Sequence, residues 1–170
     1  MDMKGLVLNS SDLERCLKKG PSGLCEIDHR RPIMFTNGKF EVFHPGHAHL
    51  LRVLRRMGMR LFVGVNSDAS FLKVAGRMPV FPAWHRMDVV SRYADFVTAF
   101  DDATPLELVA RLNPDAIAKG DDWANRHVVG STVVGDIVFV KRLEGWSSTK
   151  LLEDIRSETF PHPASPRNAG

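Results

Sequence analysis

The sequence predicts an α/β protein, a doubly wound parallel sheet of about five strands in a single domain. Three observations carry that prediction. Short apolar runs of strand length alternate along the chain with segments of helical periodicity, the order that builds parallel sheets. The runs are apolar on consecutive residues, as in Leu61-Phe-Val-Gly-Val65, which is the pattern of a buried strand. The chain has 170 residues, enough for one compact core with short tails.

Taken in order, residues 1–31 read as an N-terminal extension. Ser11-Asp-Leu-Glu14 has the form of a capping box, so a short helix is expected over Asp12–Lys19, stopped by Gly20-Pro-Ser-Gly23. The domain proper is expected over residues 32–156. Ile33-Met-Phe-Thr36 reads as its first strand, followed by a loop containing glycine. From His47, the apolar residues Leu50, Val53, Leu54 and Met57 fall on one helical face, with Arg52, Arg55 and Arg56 off it. Gly58 closes that helix and Leu61–Val65 is the second strand. A helix near Ala83–Tyr93 leads to a third strand, Phe96–Phe100. Thr104 and Pro105 look like the N-cap and first residue of a helix over Leu106–Leu112. Asp115–Ala118 and Ile137–Val140 complete the strands, and a last helix runs from Ser147 to about Arg156. Residues 157–170, rich in proline and small polar residues, read as a flexible tail.

Composition narrows the function. Apolar residues make up 44% and charged residues 25%, which excludes disorder, collagen and coiled coil. Lys+Arg 23 against Asp+Glu 20 leave +3, a mild bias that suits small anionic ligands and makes no case for a nucleic-acid partner. Cys16 and Cys25 cannot form a disulfide framework and lie in a stretch expected to be peripheral, as in a reduced cytoplasmic protein. The start MDMKGLVLNS lacks the pattern of a signal peptide, and no apolar run approaches membrane-span length, so no membrane partner is expected.

In such sheets ligands bind beyond the carboxyl ends of the strands. No G-x-G-x-x-G follows the first strand, and GxxxxGK[ST], HExxH, C-x-x-C and G-x-S-x-G are absent. The first-strand loop instead reads Thr36-Asn-Gly-Lys-Phe-Glu-Val-Phe-His44-Pro45-Gly46-His47. With His44 as N-cap, Pro45 takes the first helical position, where its missing N–H costs nothing. Gly46 lets an anion approach the free amides of the first turn, and His47 stays on that turn, so both imidazoles can flank one phosphate. Two alternatives stand beside this: a turn with incidental histidines, or a metal site from His44, His47 and His49. At the other end, Arg142-Leu-Glu-Gly-Trp-Ser147-Ser148-Thr149 opens the last helix. Ser147 is a natural N-cap, and the Ser148 and Thr149 hydroxyls with Arg142 make a second anion cradle. Together the two ends form a clamp for a polyphosphate.

H-x-G-H after a first strand with N-G-x-F before it, plus the Ser-Ser-Thr start of a C-terminal helix, resembles the cytidylyltransferase-like nucleotidyltransferases. The resemblance covers about Arg31 to Arg156. It implies a Rossmann-like sheet and transfer of a nucleotidyl group from a nucleoside triphosphate, with Mg²⁺ and release of pyrophosphate. Members are often dimers, so it also allows a homodimer. Val65-Asn-Ser-Asp-Ala-Ser70, Asp102-Ala-Thr-Pro105 and Asn113-Pro-Asp115 with Lys119-Gly120 resemble heptose-1-phosphate adenylyltransferases of lipopolysaccharide precursor synthesis. Gly120-Asp-Asp-Trp123 and Arg142-Leu-Glu-Gly145 are more similar to glycerol-3-phosphate and phosphoethanolamine cytidylyltransferases. On those two motifs the expectation is transfer of CMP from CTP to a small phosphate- or phosphonate-bearing acceptor. The alternatives are adenylyl transfer to a heptose 1-phosphate, and a nucleotide-binding module without turnover.

The resemblance assigns roles residue by residue. His44, His47, Lys39 and Arg142 are the expected catalytic groups. Asn37, Gly38, Phe40, Gly46, Lys73, Arg86, Lys119, Gly120, Asp121, Asp122, Gly145, Ser147, Ser148 and Thr149 would hold the nucleotide, and Asp68 and Trp123 the acceptor. Asp68 as a helix N-cap, Arg86 as a solvated cation, and Asp121 and Asp122 as a turn are the plainer alternatives. Three departures stand out. Glu41 occupies a position where the family has Asp, Lys39 one where it has a small or apolar residue, and Ala75 one where it has a triphosphate-contacting lysine, so Lys39 and Lys73 are expected to share that charge. Trp146 is expected to pack at a helix start. His29, His85 and His127 are expected on the surface or in packing, and Asp95, Asp101 and Asp102 at strand ends.

Overall fold

A computed structural model describes residues 4–17 and 31–157. Six strands, all parallel, form one sheet: β1 (Leu6–Leu8), β2 (Ile33–Gly38), β3 (Arg60–Asn66), β4 (Phe96–Phe100), β5 (Ala116–Gly120) and β6 (Asp136–Val140), in the spatial order β1-β4-β3-β2-β5-β6. The helices are α1 (Ser10–Leu17), α2 (Pro45–Arg56), α3 (Asp68–Ala75), α4 (Ala83–Ser91), α5 (Leu106–Leu112) and α6 (Ser148–Arg156), with a single 3₁₀ turn at Asp121–Trp123. The expected doubly wound parallel sheet is confirmed, with one strand more than expected.

Side chains alternate along each strand, so both faces must be covered. Phe35, Phe62, Phe96 and Ile117 pack on one face with Leu108, Val109 and Leu112 of α5 and Leu13 of α1. Met34, Leu61, Val63 and Val97 pack on the other with Leu51 and Leu54 of α2 and Val90 of α4. The extra strand, Leu6–Leu8, pairs with β4 in register Leu6↔Phe96, and α1 closes over it. Cys16 is buried there rather than peripheral, and the segment before residue 31 adds an edge to the sheet. The rest of the expected N-terminal helix, like His29 and all but Ser157 of the expected tail, lies outside the described residues.

α2 starts at Pro45 with His44 as its N-cap, as expected, while other boundaries move for local reasons. Pro105, not Thr104, caps α5. The helix α3 was not expected, and Asp68 is its first residue while Ser67 is its N-cap. Asp95 does more than sit at a strand end: its carboxylate accepts the Leu61 amide at 2.8 Å, and Asp115 does the same for Ile33 at 2.7 Å. These two acids tie the amino ends of neighbouring strands, opposite the edge where the loops of interest emerge.

The chain winds from β2 through β3 to β4 on one side, then returns to β5 and β6 on the other. The order therefore reverses between β2 and β5. A crevice opens beyond the carboxyl ends of strands at such a switch point.

Candidate active site

Two loops and two helix starts meet at this crevice. From β2, the chain turns through Phe40, whose φ of 47° is left-handed for a residue with a side chain. That turn folds the Phe40 ring back over Gly38, into the core and beneath His47, at 5.0 Å between ring centroids. Phe40 thus supports the imidazole and is too buried, at 4% exposure, to face a ligand. The His44 and His47 rings stack on each other at 3.8 Å, and Phe43 closes the other side of His47 at 5.6 Å.

His44 Nδ1 accepts the His47 backbone amide at 3.4 Å, so its proton sits on Nε2, where it can be donated. Burial pushes the pKa of His44 down. Burial, with the neighbouring His44, pushes that of His47 down to about 3. Both rings are therefore neutral near pH 7. His47 Nδ1 is buried and has no hydrogen-bond partner among the described residues. Gly46 has a different role from the one expected. A Cβ there would lie 3.0 Å from two atoms of the His44 ring and 3.3 Å from Trp146 Cβ. The space over it is filled by the imidazole and the indole, and glycine is what lets them come together.

The second helix start is joined to the first. Ser147 caps α6, accepting the Lys150 amide at 3.1 Å. Ser148 Oγ donates to the Val42 carbonyl at 3.2 Å, on the β2–α2 loop, and Trp146 stacks on His44 at 6.4 Å. Thr149 is exposed beside them. A cavity of about 400 Å³ opens here, lined by Asp121, Arg142, Gly145, Trp146 and Ser147 with Lys141 and Lys150. The two-ended arrangement expected from the sequence is thus present as one continuous surface.

At the switch point itself, Lys119 Nζ donates to Asn37 Oδ1 at 2.5 Å and sits 4.9 Å from the Trp123 ring centroid. Lys119 is 8% exposed. Burial lowers its pKa to about 8, against an opposing pull from Asp122. Asp121 accepts both the backbone N–H and Nε–H of Arg142 at 3.3 Å, and Asp122 lies 3.5 Å from Arg142 Nε. Gly120 permits this turn, since a Cβ would meet Asp122 Oδ1 at 2.7 Å and Arg142 Cγ at 3.1 Å. Trp123 packs against the core between Lys119 and Arg126.

Three sequence expectations change. Arg86 is neither a solvated cation nor free for phosphate: it is 2% exposed and donates to the carbonyls of Phe81, Lys39 and Asn66 and, at 2.8 Å, to Asp68 Oδ1. It fastens the loops after β2 and β3 together, and Asp68 is its counter-ion. Lys73 donates to the Asp101 carbonyl at 3.0 Å. Lys39 is exposed over the Phe71 ring. Glu41, noted in the sequence only as a departure, is a buried acid held by Arg77. His85 stacks on Phe81 and His127 is exposed, as expected.

His49 lines a separate cleft of about 610 Å³ on the outer face of α2, with Phe43, Arg52 and Tyr93. Among the described residues no three His, Cys, Asp or Glu side chains come together to hold a metal ion. Asp121 and Asp122 beside the cavity face Arg142. With no carboxylate cage among the described residues, the expected Mg²⁺ would be held mainly by phosphate oxygens of the substrate.

A parallel sheet with a histidine-bearing helix start at its switch point defines a nucleotide-handling α/β protein. The cytidylyltransferase-like family model matches residues 35–156, and the chain belongs to that family of nucleotidyltransferases. Among curated relatives, the bifunctional protein HldE of Campylobacter jejuni subsp. doylei is 36% identical over 154 residues, 88% of this chain and 33% of that protein. The bifunctional protein HldE of Gluconobacter oxydans is 40% identical over 136 residues, 76% of this chain and 28% of that protein. The chain thus spans about a third of the length of these relatives. In fold it is similar to the crystal structure of the lipopolysaccharide core biosynthesis protein from Thermoplasma volcanium, with a TM-score of 0.56 at 22% identity, covering 67% of this chain and 99% of that one. Among the described residues no helix is long and apolar enough to cross a membrane.

Proposed function

We propose that this chain transfers an adenylyl group from ATP to a heptose 1-phosphate and releases pyrophosphate. The observation that carries nucleotidyl transfer is the joined pair of helix starts at the switch point, with His44 and His47 on one and Ser147, Ser148 and Thr149 on the other. The choice of base follows the HldE relatives, which weigh for adenylyl transfer to a heptose 1-phosphate over the CMP transfer expected from the sequence. Asp121 and Asp122, which carry the cytidylyl resemblance, each lie beside Arg142.

The reaction is an in-line displacement. An oxygen of the acceptor phosphate forms a bond to the α-phosphorus, and the bond from that phosphorus to the oxygen bridging to the β-phosphate breaks. The electron pair leaves with pyrophosphate. The attacking oxygen is already anionic near pH 7, so no general base is required, and catalysis is positioning with charge stabilisation. His44 donates Nε2–H to the transferring group, and His47 adds a second neutral donor. Two neutral rings stacked at 3.8 Å avoid the mutual repulsion of two imidazolium ions. The start of α2 adds the aligned peptide dipoles of its helix. Arg142 supplies positive charge at the cavity, Lys119 at the switch point beside Asn37, and Lys39 on the loop after β2. Asn37 and Gly38 end β2 where the ribose and phosphates pass, and Gly145 with Ser147 turns the chain into α6.

Pyrophosphate release tests the reading directly. ATP with a heptose 1-phosphate should exceed CTP with glycerol 3-phosphate in kcat/KM by at least about tenfold, roughly 1.4 kcal/mol at the transition state. The reverse preference would restore CMP transfer. Binding of nucleotide without release for any acceptor would leave a module without turnover.

A further inference from the structure

The segment joining α3 to α4 lies against the loop that follows β2, and one ion pair holds it there. Glu41 is 5% exposed, so this acid of the β2–α2 loop is taken out of water. Its carboxylate accepts from Arg77 Nη1 at 2.5 Å, Arg77 Nη2 at 2.8 Å and the Val80 amide at 3.2 Å. Burial alone would push the Glu41 pKa up. The Arg77 hydrogen bond, the Val80 amide and the charges of Arg77 and Lys39 outweigh it and hold the carboxyl below its ordinary value. An ionised, buried, bidentate carboxylate fixes both the plane and the rotation of the guanidinium it grips.

The group so mounted is not itself buried, since the Arg77 side chain is 44% exposed. Nη1 donates to Glu41 and to the Met78 carbonyl at 3.0 Å, and Nη2 donates once to Glu41. That leaves the Nε–H and the second Nη2–H, which lie along one edge of the guanidinium. Neither has a partner among the described residues. Two parallel N–H groups on an oriented edge match two oxygens of a phosphate. The surroundings favour an anion. Lys39 Nζ and the Arg77 guanidinium each lie 5.5 Å from the Phe71 ring centroid, so two exposed cations flank one ring. The third cation on that ring, Arg86, is buried and hydrogen-bonded. Lys73, the other cation of this segment, is bound to the Asp101 carbonyl.

We infer that Arg77 is a phosphate-binding residue of the active site, presented by Glu41 so that its free edge takes two oxygens of a substrate phosphate. The inference rests on the nucleotidyl-transfer reading. The phosphate can belong to the terminal part of the triphosphate or to the acceptor, and the same experiment separates them. The competing role is purely structural, with the pair pinning a loop.

The test is calorimetric titration of the full chain with ATP, AMP and a heptose 1-phosphate, in wild type, Arg77→Ala, Arg77→Lys and Glu41→Gln. Arg77→Ala should weaken ATP about tenfold, the scale of a lost charge-assisted pair, and leave AMP within about twofold. Arg77→Lys keeps a cation for Glu41 but has no second edge to offer, so it should reproduce the loss. Glu41→Gln keeps the guanidinium and loosens its mount, giving a smaller loss in the same direction. A loss confined to the heptose 1-phosphate supports the inference and places the phosphate on the acceptor. Equal weakening of AMP, full rescue by Arg77→Lys, or unchanged affinities in every variant overturns it. Wild-type protein that binds none of the three ligands overturns the nucleotidyl-transfer reading itself, and this inference with it.

Discussion

The starts of α2 and α6 offer the same backbone chemistry, the positive end of a helix dipole, dressed in opposite ways. At α2 the cap is a buried histidine at 8% exposure, the first residue is a proline, and the side chains are neutral rings packed on Phe40, Phe43 and Trp146. At α6 the cap is an exposed serine, followed by an exposed Thr149 and Lys150, with Arg142 nearby at 61% side-chain exposure. Donors fixed in a water-poor setting act strongly on charge that develops during reaction, because they need no reorganisation. Solvated cations act weakly and over a distance set by salt. Under the proposed function, the difference divides the work between the two ends of one cleft: α2 would serve rate and α6 affinity.

The largest expected effect separates them. His47→Ala should lower kcat by about a hundred- to a thousandfold, the scale of losing a transition-state donor, with the fold retained by circular dichroism. Arg142→Ala should instead raise the KM for the triphosphate by about three- to tenfold, with kcat changed by no more than about threefold. Steady-state pyrophosphate release reads both. A kcat loss in Arg142→Ala as large as that of His47→Ala would erase the division.

A subtler change breaks the join between the two ends. Gly46→Ala introduces a Cβ at 3.0 Å from the His44 ring and 3.3 Å from Trp146 Cβ, so the imidazole or the indole must shift by a few tenths of an ångström. Alanine is the better helix former, and the melting temperature should hold or rise. Turnover should still fall by about tenfold, because a displaced donor loses its aim. Unchanged turnover in a folded Gly46→Ala protein would show that the stacking of His44 and Trp146 does not position the ring.

What was legible in the sequence follows from where each signal resides. β2 to β6 announced themselves as short apolar runs, because strands covered on both faces need them. β1 did not: it has three residues, with Leu6 and Val7 each 38% exposed. The helix α3 was missed because Leu72 and Val74 are exposed while Ser70 and Phe71 are buried, so it shows no apolar face. At the site, residues tied to their own helix start could be placed by spacing alone, as His44, Pro45, His47 and Ser147 were. The ties between Glu41 and Arg77, and between Arg86 and the Lys39 carbonyl, could not. Their partners lie 36 and 47 positions apart, and only the folded chain brings them together.

The smallest expected effect concerns the floor between the two ends. Lys119 joins β5 to Asn37 of β2 across the switch point, and its charge is available to the nucleotide only while it is protonated. Burial has lowered its pKa to about 8, with Asp122 pulling the other way. The ammonium is therefore present below that pH and lost as pH rises through it. Because kcat/KM reports groups of the free enzyme, its profile for the triphosphate should fall on the alkaline side with a midpoint near 8, reaching a loss of about tenfold by roughly one pH unit above. Lys119→Arg keeps a charge that does not titrate in this range. Its guanidinium cannot reproduce the short bond to Asn37, so the plateau should drop by a fewfold while the alkaline limb moves out of view. A limb that stays at the same pH in Lys119→Arg would assign the titration to another group and leave Lys119 as a strut between strands, which would make the floor of the cleft structural and concentrate its electrostatics at the two helix starts.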